Sequence, residues 1–454
     1  MNRIEQLEKE NRELRQQIEI LKVEIKYLRE NLEKYEKPKK NSGNSSMPPS
    51  SDKNKKYYPP REKSGKKPGG QIGHKGYTKI LYENPDEIIE VYPERCVHCG
   101  NEHFITKENI LGQRQVIDIP EIKPYITKYQ QKAGICTCCG KRNIGKFPEN
   151  IAPNVQIGEK TKGLLGYFNI SHNISYERLI QIFNDVFNLE ISKGTIDNKL
   201  KELAKDLKPE YERILENLKK SDVIGSDETG IRINGKNAYQ WTFQNEENTF
   251  YTSAYSRAFQ VIENTIGKIF NGSWISDRLG SQLKIKANHQ FCLVHLVREC
   301  KYIIQVEDSE WARDLKDFFE RAMEFKRKLG NNFNPLDKEV FREIFMFKQE
   351  LYEIFSKPPP QKEENRLYRQ LYLKRKELIH FLENPKVPYD NNGSEKALRN
   401  RVIHQKVSGG FRSITGANVH DIIASVIETA KKQNKNILDT LFTLSIKNQL
   451  LLPA

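Results

Sequence analysis

The sequence predicts a multidomain α+β protein, and three observations carry that prediction. A heptad repeat opens the chain, two Cys-x-x-Cys turns follow it, and beyond residue 221 short alternating strands pass into long helical periodicities. With 454 residues there is room for about three domains, one of them large enough for a substantial core. No stretch approaches the roughly 18 consecutive apolar residues of a membrane span, and the start "MNRIEQLEKENRELR" is too charged for a secretory signal. The expected location is the cytoplasm.

Residues 1–36 read as a coiled-coil dimerisation helix. Ile4, Leu7, Asn11, Leu14, Ile18, Leu21, Ile25, Leu28, Leu32 and Tyr35 alternate spacings of three and four. Ile mostly at a and Leu at d favours two parallel strands, and Asn11 at an a position fixes register. A homodimer or higher oligomer is therefore expected. Residues 37–80 read as a basic flexible arm: twelve Lys or Arg between Lys37 and Ile80 stand against Asp52 and Glu62, so +10 of the chain's +15 lies there. "NSSMPPSSDKNKKYYPP" and "GKKPGGQIGHKG" cannot form a core, and the charge suits neutralisation of nucleic-acid phosphates.

Residues 81–155 read as a zinc-ribbon-like module. "CVHCG" and "CTCCG" are two Cys-x-x-Cys turns, each followed by glycine, with alternating stretches such as "RQVIDIP" between them. Cys96, Cys99, Cys136 and Cys139 can supply four thiolates to a structural Zn²⁺, with Cys138, His98 and His103 close enough to substitute as the fourth ligand. Cys292 and Cys300, in an apolar stretch, read as core thiols. Residues 156–220 are helical and resemble a helix-turn-helix. Ser192 is placed to cap the last helix, whose outward residues Lys193, Thr195, Asn198 and Lys199 face a DNA partner in that reading.

Residues 221–430 read as an α/β catalytic core. "DVIGSDETGIRI", the turn pair Asn234-Gly235, "AYQWTFQ" and "TFYTSAYS" give three antiparallel strands. A helix over "RAFQVIENTIGKIF", a fourth strand "SWISD" ending on Asp277, and "HQFCLVHLVREC" as a strand running into a helix follow, and the order is read as β-β-β-α-β-α-β. That order, with Asp227 on the first strand and Asp277 closing the fourth, is the pattern of a ribonuclease-H-like core, whose third carboxylate comes from a late helix. Glu395 occupies such a place once the helical stretch of about 307–383 is treated as an insertion, and residues 431–454 then form a C-terminal helical tail. In the plainer reading, Glu395 only complements a helix dipole and pairs with Arg399 at i,i+4.

Phosphoryl transfer on DNA builds charge on the attacking and leaving oxygens, and two Mg²⁺ ions held by carboxylates can stabilise both. Asp227, Asp277 and Glu395 are the expected ligands. Glu228 should face the opposite side of its strand, Asp390 is the rival to Glu395 although turn chemistry accounts for it, and His295 has two readings, an assistant of the site and, ahead of it, a buried, satisfied histidine.

The chain resembles the insertion-sequence-66 group of bacterial DDE transposases in its amino-terminal coil, "NSSMPPSSD", "GGQIGHKG", the paired Cys-x-x-Cys, "SDETGIRI", "ISDRLG", "HQFCLVHLVRE", "DNNGSEKALR" and "GGFRSITGA". The resemblance implies that Asp227, Asp277 and Glu395 are a catalytic triad, and that the protein binds the ends of an insertion sequence, cleaves there and joins the freed 3′-OH to target DNA. Arg399, Arg401, Lys406 and Arg412 are candidate phosphate contacts by position. DNA is the expected partner, with accessory transposition proteins an open question. Two alternatives keep part of this reading: a nuclease or resolvase without strand transfer, and a transposase-derived DNA-binding regulator.

Overall fold

A computed structural model describes residues 14–28, 40–41, 44, 73, 75–76, 79–105, 110–148, 151 and 155–449. They belong to two compact units, residues 54–125 and the rest of the chain, 1–53 with 126–454. The boundary falls inside the segment 81–155 expected as one module. In the smaller unit no described residue lies in a helix or strand, so "RQVIDIP" is not the strand its alternation suggested. A strand needs a neighbour for its backbone N–H and C=O groups. Here the Gln115 side chain takes the neighbour's place, accepting from the Tyr82 N–H and donating to the Tyr82 C=O at 2.7 Å each.

The larger unit begins with helix α1, residues 14–28, whose Leu14, Ile18, Leu21, Ile25 and Leu28 remain 49–58% exposed. The heptad positions Ile4, Leu7, Asn11, Leu32 and Tyr35 lie outside the described residues, as does most of the basic arm. Strands β1 (Ala133–Ile135) and β2 (Arg142–Ile144) pair antiparallel around the second cysteine turn. Helices α2 (Glu159–Gly166), α3 (Tyr176–Phe187) and α4 (Lys193–Lys219) follow. Asn188 in the left-handed region ends α3, and Ser192 caps α4 by accepting from the Thr195 N–H at 3.1 Å.

The central sheet contains β3 (Val223–Ile233), β4 (Lys236–Gln244), β5 (Thr249–Ala254), β6 (Ile269–Ser276) and β7 (Lys286–Phe291) in the order β5-β4-β3-β6-β7. β3, β4 and β5 are antiparallel neighbours; β6 joins β3, and β7 joins β6, in parallel. Asn234 and Gly235, both at positive φ, make the tight turn that sets the register Ile233↔Lys236. Helix α5 (Phe259–Thr265) joins β5 to β6 and is shorter than expected, because Gly267 turns the chain at φ +124° and Ile269 and Phe270 enter β6. Between β6 and β7 there is one 3₁₀ turn, Gln282–Lys284, and no helix, so the order is β-β-β-α-β-β-α: the segments named from the sequence follow one another as expected, and the order β-β-β-α-β-α-β does not hold.

Helices α6 (Leu293–Glu307), α7 (Glu310–Leu329), α8 (Lys338–Ile354), α9 (Lys362–Leu371) and α10 (Lys376–Glu383) come next, then α11 (Asn392–Ser408), α12 (Ile414–Lys432) and α13 (Ile437–Gln449). The two faces of the sheet carry separate cores. Ile224, Trp241, Phe243 and Trp274 pack with Leu200, Leu203 and Leu207 of α4 and Ile423 and Ile427 of α12. Ile275 and Phe291 pack with Leu296 and Cys300 of α6, Leu315, Phe318 and Phe319 of α7 and Phe381 of α10. The exposed edge of β5 is closed by side chains of α12: Thr429 Oγ1 and Ser425 Oγ accept from the N–H groups of Thr249 and Tyr251 at 3.0 and 2.9 Å.

Candidate active site

Alternation along β3 separates two adjacent acids. Ile224 belongs to the core shared with α4 and α12, while Val223 packs on the core shared with α6 and α10; Asp227 continues the second series and Glu228 the first. Parallel pairing of Gly225 with Ile275 brings the end of β6 level with this point, and Asp277 follows one residue after the strand stops. The third acid arrives on the first turn of α11. Asn391, just before that helix, donates from Nδ2 to the Ser226 carbonyl of β3 at 2.9 Å, and its Oδ1 accepts from Ser394 Oγ at 2.7 Å. Such close approach requires missing side chains: a methyl at Gly225 would stand 2.9 Å from both Asn391 Oδ1 and Ser394 Oγ, and one at Gly393 would stand 2.6 Å from Gln244 Nε2. Glu395, one residue past Ser394, is thereby brought near enough to Asp227 for its charge to act there, while its carboxylate meets His295.

The electrostatics record this convergence. Burial, then the charges of Asp277, Glu228 and Glu395, push Asp227 well above the usual carboxylate range. Glu395 is pulled down, first by His295, whose Nε2 lies 3.1 Å from Glu395 Oε1 in an ion-pair contact, and further by Arg298 and Arg399. Burial raises Asp390, which accepts from the Asn392 N–H at 3.1 Å and from its side-chain amide at 2.8 Å, as turn chemistry predicts.

One residue beside the site was misread from sequence, and a second has neighbours that the sequence did not announce. His295 is not a satisfied core histidine, since its ring contacts Glu395 and its Nδ1 has no hydrogen-bond partner among the described residues. Cys292, expected as a core thiol, is 1% exposed, yet with His295 and Glu395 it forms a group whose ligand atoms lie within 4.8 Å of one another. The signal was the three-residue spacing from Cys292 to His295 at the start of the helix that follows the fifth strand. Cys300 is a buried core thiol.

The basic candidates separate in the same way. Arg399, Lys406 and Arg412 are exposed, Lys193 pairs with Glu177 at 2.6 Å, and Lys199 pairs with Glu202 at 2.6 Å. Arg401 is not a surface phosphate contact. It is 1% exposed, donates to the Ile170 carbonyl at 3.1 Å and to the His420 ring, and lies over the Tyr251 ring. Leu398, Arg401 and His404 share the inward face of α11, so the guanidinium serves packing.

The two cysteine turns, one in each unit, have the same local form. Cys96 donates its N–H to the Asn101 carbonyl and accepts from the Gly100 N–H, both at 2.8 Å; Cys136 does the same with Lys141 and Gly140 at 2.9 Å. Gly100 and Gly140 take φ of +77° and +67°, and backbone N–H groups of each turn draw the first thiol below its ordinary value.

Fold and site together define a mixed-sheet α+β protein with a carboxylate cluster at the carboxyl end of its central parallel strands. Residues 155–419 match the transposase IS66 family, a span that contains all three acids, and the chain belongs to that family. The family is one of transposases. Residues 1–79 match a second family, whose function is unknown. The chain is also similar to the uncharacterized protein y4jO of Sinorhizobium fredii (strain NBRC 101917 / NGR234), at 30% identity over 164 residues; the match covers 35% of this chain and 47% of that relative. It thus spans about half the relative's length. Among the described residues no helix is long and apolar enough to cross a membrane.

Proposed function

We propose that the protein is a DDE transposase of an insertion sequence, which binds the element's ends, cleaves there and joins the freed 3′-OH to target DNA on a ribonuclease-H-like core. The observation that carries this reading is the buried position of Asp227 on β3, with Asp277 at the end of β6 and Glu395 on α11 near enough for their charges to act on it; burial first and those charges second raise it above an ordinary carboxylate. Carboxylates gathered at such electrostatic cost fit a divalent cation, and an all-oxygen set suits a hard one. Asp227, Asp277 and Glu395 would hold Mg²⁺, which when bound stabilises the attacking and leaving oxygens of phosphoryl transfer. His295 would hold one oxygen of Glu395 and orient the other. Exposed Arg399, Lys406 and Arg412, with Lys193 and Lys199 on α4, would contact phosphates, and the basic arm would add affinity without sequence preference.

Two further assignments accompany this one. Each cysteine turn offers two sulfurs, Cys96 with Cys99 and Cys136 with Cys139, to structural Zn²⁺, since backbone N–H groups already favour the thiolate of the first. The apolar stripe of α1 pairs with a second copy of the chain. The test of the function is an in vitro reaction of purified protein, Mg²⁺ and DNA carrying the element's ends. Joined strand-transfer products are expected. Nicked ends without joining would make it a nuclease, and binding without cleavage a regulator.

A further inference from the structure

Glu228 stands next to Asp227 in sequence but on the other face of β3, and there it is fully engaged. It is 8% exposed; its Oε1 accepts from Arg257 Nε at 2.8 Å and Nη2 at 2.5 Å, and its Oε2 accepts from Gln282 Nε2 at 2.9 Å. Gln282 is fully buried and belongs to the turn that leaves the site: its own N–H reaches the Leu279 carbonyl at 2.9 Å, and the Leu279 N–H reaches Asp277 Oδ1 at 3.2 Å. Arg278, between Asp277 and Leu279, takes φ +72°, a conformation costly for a side chain of that size. The turn bearing Asp277 is thus strained where it leaves β6 and is tied back to β3 through Gln282 and Glu228. Arg257 has a different character. Its Nε and Nη2 are held by Glu228, its side chain is 49% exposed, and it lies near enough to Asp277 to feel that charge.

We propose that Glu228 is a positioning residue with two arms: through Gln282 it sets Asp277 against Asp227, and by gripping one edge of Arg257 it presents the other edge to a DNA phosphate beside the carboxylates. A guanidinium held on one side by a carboxylate keeps donors in a fixed plane for a phosphate on the other. The proposal rests on the metal-binding reading of the three acids and goes beyond it, because neither Glu228 nor Gln282 is among the residues that would hold the metal.

The test is Mn²⁺ titration of the full-length protein, with free ion read by electron paramagnetic resonance. Mn²⁺ is chosen because the thiol turns prefer softer ions. Salt-dependent DNA binding is measured in parallel. Gln282→Leu and Glu228→Gln should each weaken Mn²⁺ about tenfold or more, the effect expected when a partner of a metal ligand is lost. Arg257→Gln should keep Mn²⁺ affinity while lowering the salt slope of DNA binding by about one phosphate. Unaltered Mn²⁺ affinity in Gln282→Leu would overturn the first arm, and if Glu228→Gln alone weakened the ion, Glu228 would be a ligand instead. An unchanged salt slope in Arg257→Gln would overturn the second arm. Should Glu228→Gln melt too low to titrate, Gln282→Leu decides. Failure of the unaltered chain to bind Mn²⁺ would overturn the metal-binding reading and this inference together, an outcome distinct from normal binding that the variants leave unchanged.

Discussion

Asp227 is the residue at which the proposed function and stability conflict. Burial and three neighbouring acids oppose its ionisation, so the metal-free fold is destabilised wherever the carboxylate is charged. The sign follows from linkage: the folded pKa lies above the unfolded one, so the cost is fully present above the folded value and is relieved as pH falls through it. Asp227→Asn should therefore raise the melting temperature of the metal-free protein near neutrality by about 2 °C or more, while abolishing catalysis. Differential scanning calorimetry across pH should show the gap closing in acid. Mn²⁺ should close it as well, by stabilising the unaltered chain alone. A variant that melts lower than the parent at neutral pH would contradict the crowding described here.

At the scale of elements, the site depends on how closely α11 approaches β3. Gly225→Ala would set a methyl 2.5 Å from Gln244 Nε2 and 2.9 Å from Asn391 Oδ1 and Ser394 Oγ, atoms already committed to hydrogen bonds at the start of α11. A loss of roughly 1–3 kcal/mol is expected, as for other overpacked positions. Urea unfolding measures it, and a cost near zero would mean that α11 yields more easily than its contacts imply. Much of this arrangement was legible beforehand. Strict alternation along "SDETG" separates Asp227 from Glu228, the Asn234-Gly235 turn sets the hairpin, and "DNNGSE" announces a helix start. What could not be read depends on partners distant in sequence. Gln282 reaches Glu228 across 54 residues, and nothing local marks it as the grip on the Asp277 turn. Arg401 resembles its exposed neighbours Arg399 and Lys406 in every respect but its inward face, which α12 and the His420 ring define. The order β-β-β-α-β-α-β failed because only a short 3₁₀ turn, Gln282–Lys284, stands between β6 and β7.

For the whole molecule, α1 holds an apolar stripe in solvent, which a second copy would cover. Leu14→Pro with Leu21→Pro removes helical hydrogen bonds and should convert the oligomer to a smaller species in sedimentation, leaving the melting of the sheet unit unchanged. An unaltered sedimentation coefficient would place the interface elsewhere. The central claim concerns the three acids acting as one unit, and Glu395 tests it best because it has a plainer alternative role. As a dipole partner of α11 paired with Arg399 it would contribute at most about 1 kcal/mol and nothing to chemistry. The deciding measurement is strand transfer by Glu395→Gln, with DNA binding and thermal melting measured on the same preparation. The account predicts loss of cleavage and joining with binding and melting nearly intact, and a triple variant with Asp227→Asn and Asp277→Asn hardly worse than the single one. Near-normal joining by a folded Glu395→Gln protein would contradict it.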